Sequence, residues 1–161
     1  MLTTIHAVPM QVARDMDGTS FPPHPATNHL PTVNPADYPD ADESVVIVSR
    51  TADDDTVAEW LTMGQRGRDE RYIVDVIVTT QVAGTSWVDM MSRLSELTEV
   101  VLAVYTDDNG QFVPPGGVDT DGENTHGIWT GMANAERSNQ WGTDEGWCGQ
   151  CRVALRIAAR I

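Results

Sequence analysis

Residues 58–103 read AEWLTMGQRGRDERYIVDVIVTTQVAGTSWVDMMSRLSELTEVVLA, and this stretch decides the fold. From Arg71 the residues alternate: Tyr72, Val74, Val76 and Val78 share one face, while Arg71, Asp75 and Thr79 share the other. A side-chain period of two, rich in β-branched types, is the signature of a strand. Ile73 and Ile77 fall on the nominally polar face, so that face also needs cover, from a helix or from a neighbouring subunit. Arg71, Ile73, Asp75 and Ile77 are therefore the candidate subunit-interface residues. Ala83-Gly84 ends the strand, Ser86 stands where a helix cap is needed, and Asp89 puts an acid in the first turn. From there Trp87, Met90, Met91, Leu94, Leu97, Val101 and Leu102 recur at spacings of three and four, which makes one apolar stripe. The spacing predicts one long helix over about 86–103, packed on the even-numbered face of the strand.

Outward from this unit the patterns are shorter. Upstream, SVVIVSR at 44–50 is apolar and β-branched and reads as a buried strand. An acidic turn at 51–55 follows, then 56–63 as a strand or one or two helical turns, then a glycine turn at 64–67 that suits a β-hairpin. Downstream, 106–124 is turn chemistry with only Phe112 and Val113 to bury, and 128–135 with Trp141 reads as strand pieces. In the last segment Val153, Leu155, Ile157 and Ala159 alternate with Arg152, Arg156 and Arg160, which favours a closing strand over a short helix.

The start of the chain looks different. Residues 1–13 hold a few apolar side chains interrupted by Pro9 and read as a strand or an arm. Prolines 22, 23, 25, 31, 35 and 39 exclude a continuous helix over 15–43 and disfavour a central strand. A long segment of this kind is either an arm reaching a neighbouring copy or a surface loop. The expected organisation is a proline-rich, non-helical arm over 1–43 and a single α+β domain over 44–161. In that domain a twisted, mostly antiparallel sheet packs against the one long helix and a minor one.

The whole chain of 161 residues is long enough to bury a core, and its 40% hydrophobic and 21% charged content is ordinary for a globular protein. No apolar run has the length of a membrane span, and 1–13 lacks the basic start and apolar core of a signal peptide. The expected place of assembly is the cytoplasm, with no membrane partner. Charge is the unusual feature: 24 acids stand against 10 bases, all of them arginine, for a net −14. So acidic a chain argues against non-specific nucleic-acid binding, which needs cations to neutralise phosphates. It suits a surface that nucleic acid must pass without sticking, and equally one kept soluble by self-repulsion.

Little in the sequence advertises catalysis. Trp147-Cys148-Gly149-Gln150-Cys151 has the spacing of a thioredoxin-type redox site, but only ten residues follow Cys151, too few for the rest of that fold. No further cysteine completes a four-thiolate zinc site, and His6, His24, His29 and His126 are scattered. Asp53-Asp54-Asp55 and the acidic string at 119–123 fall short of a calcium loop and read as solvated turns. No cofactor, metal or catalytic residue is expected.

What remains is a pattern. Glu59, Trp60 and Gly64, then an Arg68-Asp69-Glu70 lead-in to an alternating strand, then a Ser-capped helix bearing Trp87, Arg93 and Leu94, then a strand-like ALRIAARI ending, together resemble the tail terminator (tail completion) proteins of long-tailed phages and prophages. The resemblance covers roughly 44–161. The start departs from it, since such proteins often begin with a helix and 1–43 reads as non-helical.

The resemblance implies a structural protein of the virion neck, assembled in the host cytoplasm, with no chemistry to catalyse. Copies, six in the family pattern, would form a ring on the last disc of the tail tube and halt its polymerisation. The implied partners are other copies of the chain, the major tail tube protein, the head-completion connector, and DNA passing through the lumen without specific binding. A head-completion (stopper) protein is the alternative within the virion, and a small redox protein using Cys148 and Cys151 is the alternative outside it.

Overall fold

A computed structural model describes residues 4–34, 42–51, 59–60, 68–115 and 127–160. Among these the elements run α1 (Thr4–Asp17), β1 (Thr32–Val33), β2 (Glu43–Thr51), β3 (Glu59–Trp60), β4 (Arg68–Thr80), α2 (Trp87–Val104), β5 (Gly127–Thr143) and β6 (Gly146–Arg160). The class is α+β. One mixed sheet has the order β1-β2-β4-β6-β5, and β3 continues the line of β2 along β4. The short β1–β2 pair is parallel and the other pairs are antiparallel.

β4 sits at the centre because its residues are apolar enough to lose water on both edges and one face. It bonds β2 over Tyr72 to Thr80 and β6 over Asp69 to Thr80. Tyr72, Val74, Val76 and Val78 are all buried in the main core, as their alternation requires. α2 lies over this even face, with Met90, Leu94, Leu97 and Val101 inward. Its first turn is capped at Ser86, whose hydroxyl accepts from the Asp89 N–H at 3.2 Å. At Gly149 of β6 the Met90 thioether rests directly on the backbone, where a Cβ would leave it no room. Phe112 covers Gly131 of β5 in the same way.

The expectation of one long helix is corrected: two helices of 14 and 18 residues share the same layer. The additional one, α1, occupies sequence expected to be a strand or an irregular arm. Pro9 lies inside it and removes one helical hydrogen bond at a cost of about 3 kcal/mol. Against that, Val8, Val12 and Met16 form a stripe at a spacing of four and are buried in the main core, each contributing about 1.5–3 kcal/mol. Packing outweighs the proline. Tyr105, at the end of α2, donates its hydroxyl to Asp15 at 3.2 Å and so joins the ends of the two helices.

The segment after α1 is irregular, as its prolines require, yet it is tied to the domain. Phe21 enters the core, and Arg93 of α2 donates to the carbonyls of Pro22 (2.8 Å) and Pro23 (3.4 Å). The β3–β4 pairing agrees with the hairpin expectation, while the acidic triplet at 53–55, the turn at 64–67 and the acidic string at 119–123 lie outside the described residues. Among the described residues no helix is long and apolar enough to cross a membrane.

Candidate functional site

Both helices bury their apolar stripes against the even face of β4, so the odd face of the sheet is a second surface with its own chemistry. Register fixes who stands there. Ile73 lies between Arg50 of β2 and Arg156 of β6, Asp75 between Val48 and Ala154, and Ile77 between Val46 and Arg152. Met132 of β5 is opposite Arg156, and Asn134 is opposite Ala154. Among the described residues neither helix packs on this face.

Its centre is an ion-pair network. Arg50 donates from Nε to Asp75 Oδ2 at 2.7 Å and from Nη2 to Glu136 Oε2 at 2.8 Å. Arg156 also reaches Glu136, and Arg152 Nε lies 3.7 Å from Asp75. Glu136 enters at an irregularity in the β5–β6 register between Ala135 and Arg137, which turns an extra residue toward the network. Burial pushes the Glu136 carboxyl up, but the hydrogen bonds and charges of Arg156 and Arg50 win and hold it below the usual range. The Arg50 guanidinium is raised, first by its hydrogen bond to Asp75. Asp75 is only 2% exposed, so its charge is tolerable because two guanidinium groups face it.

Around the network the face is apolar and open. Val48 and Met132 are exposed, and Arg71, Ile73, Met132, Arg156 and Ala158 line a cleft of about 270 Å³. The Asn134 side-chain oxygen is buried and has no hydrogen-bond partner among the described residues.

The four residues singled out from the sequence thus fall on one face but differ in state. Arg71 is exposed, Ile77 is half-buried, and Asp75 is in the network. Ile73 is fully buried within the single chain, between Arg50 and Arg156 in the strand register. Ile73→Asp therefore tests the fold, and Arg71 is the residue whose replacement tests the surface. Sequence reasoning missed Arg50, Glu136, Arg152 and Arg156 as partners. Charge alternation in 152–160 was a signal, but the register that brings them to Asp75 was not readable.

A second buried pair holds the architecture. Arg93, nearly inaccessible, is bidentate to Glu43 at 2.7 and 2.8 Å and also reaches Glu96 at 3.0 Å. Burial works against its charge, and the two glutamates more than restore it. It links α2, the start of β2 and the proline segment, which is a structural task.

The thiols are placed against redox work. Cys148 and Cys151 are three apart on a regular strand, so they point to opposite faces with Cα atoms about 10 Å apart. A disulfide needs less than about 7 Å. Both are buried and free, and burial, followed by the Glu145 charge, outweighs the Thr143 hydrogen bond and raises the Cys148 thiol. A raised thiol is a poor nucleophile. Among the described residues no group of three or more His, Cys, Asp or Glu side chains could hold a metal ion.

Comparison with protein-family models gives no match, and comparison with curated proteins gives no significant one.

Proposed function

We propose that this chain is a structural protein of the phage neck: a tail-terminator subunit whose copies form a ring, cap the tail tube and join it to the head connector. The observation that carries the reading is the open odd face of the sheet. With both helices on one side, the other face of the sheet presents Arg71, Val48, Met132 and the half-buried Arg50, Arg152 and Arg156 beside a cleft, which suits an assembly contact. Two further features support it. α1 supplies the leading helix common in the resembled family, whose absence from the sequence pattern was the main departure. The net charge of −14 gives a ring with a wall that repels DNA phosphates.

Capping needs no bond chemistry. Shape and charge complementarity between a ring and the last tube disc stop further addition, and DNA threads the centre. The direct test adds purified protein to a polymerising tail-tube protein encoded in the same genome and measures tube lengths by negative-stain imaging. Tubes shortened and capped at one end are the expected result; lengths unchanged at saturating protein would overturn the reading. The Cys148→Ser, Cys151→Ser double variant separates it from redox function, because a ring subunit keeps capping without its thiols.

A further inference from the structure

The two layers of the molecule differ in charge. Among the described side chains, Arg50, Arg71, Arg152 and Arg156 stand on the open face with the carboxylates Asp75 and Glu136, both already ion-paired. On the other side α2 exposes Asp89, Glu96 and Glu99, while its single base, Arg93, is buried. Next to Asp89, Trp87 is 47% exposed and Val88 66% exposed, although both begin an otherwise well-packed helix. One layer therefore presents an acid beside an apolar knob, and the other presents arginines around an apolar cleft.

The knob and the cleft are out of each other's reach within one chain. The first turn of α2 lies near Gly149, which pairs with Thr80 at one end of β4. The cleft lies on the opposite face, where Arg71 pairs with Ala158 toward the other end. Only a second copy brings them together.

We propose that Trp87-Val88-Asp89 of one copy docks into the Arg71–Arg156 cleft of the next. This rests on the ring reading and names the two surfaces that meet in it. The contact is heterologous, using different patches on the two copies, and such a contact propagates until rotation closes it into a ring. Trp87 offers apolar area and a ring face for a guanidinium, and Asp89 offers the opposite charge. Consuming the arginine face in the contact also leaves the rest of the ring surface more acidic.

The test is sedimentation velocity of the full chain at several concentrations in low salt, alone and with tube-forming tail protein. Arg71→Glu and Val88→Arg replace exposed side chains, and far-UV circular dichroism checks that both fold. Each variant alone should associate at least about tenfold more weakly than the unaltered protein. Mixed in equal amounts they should regain association, because the intact knob of the Arg71→Glu chain meets the intact cleft of the Val88→Arg chain and the two altered surfaces carry opposite charges. Arg71→Ala, which deletes the charge without reversing it, should weaken association less. Raising salt to about 1 M, where screening acts within about 3 Å, should weaken assembly of the unaltered protein. Variants that assemble like the unaltered protein, or a mixture that stays monomeric, would overturn the docking contact and leave the ring reading standing. An unaltered protein that stays monomeric under every condition would overturn both.

Discussion

At the scale of single residues, two sets of paired charges matter: one buried under α2 and one on the far face of the sheet. Arg93 and Glu43 form a bidentate pair with both side chains almost inaccessible. Arg93→Ala would strand a buried carboxylate and free the Pro22 and Pro23 carbonyls, so unfolding free energy should drop by about 3–5 kcal/mol in urea titration. Replacing both partners with apolar residues of similar size should cost much less. Glu136 makes a prediction with a pH sign. Its folded carboxyl is held below the ordinary range, so the unfolded chain takes up the proton more readily. Its contribution is complete above the unfolded pKa of about 4.3 and is lost as pH falls through the folded value. The urea midpoint of Glu136→Gln should therefore trail that of the unaltered protein near neutrality, and the gap should close in acid. A gap independent of pH would mean that the network acts through packing rather than charge.

At the scale of elements, the strand and the helix of 58–103 were legible because each carries its period almost without interruption. Tyr72, Val74, Val76 and Val78 face α2, and Ser86 caps it, as the residue types dictate. α1 was not legible. Pro9 is a strong local signal, whereas the packing that overrides it comes from residues distant in sequence, and local patterns do not record such contacts. The ion-pair network was hidden for the same reason: Arg50, Asp75 and Glu136 meet only through strand register. Close approach between elements is also invisible until the sheet is built. The Phe112 ring occupies the place of a Cβ at Gly131, so Gly131→Ala should push the ring off β5 and cost about 1–3 kcal/mol. A lowered thermal midpoint that Phe112→Leu in the same chain partly restores would identify that contact as the cause.

At the scale of the whole molecule, the sheet buries one face under both helices, and among the described residues neither helix covers the other face. The helix layer supplies the core, and the other face carries arginines and an ion-pair network, while the chain as a whole is strongly acidic. The proposed ring, built through that face, gives a role to Arg50, Arg71, Arg152 and Arg156, which stand there in so acidic a protein. It also explains why an apolar cleft is left open beside a satisfied ion-pair network. The measurement that bears most directly on this account is the solution mass of the purified protein across a range of concentrations, with particle imaging of the largest species. Closed rings, or monomers that become rings when tail-tube protein is added, are the predicted result. A strict monomer that ignores tail tubes at every concentration would contradict it.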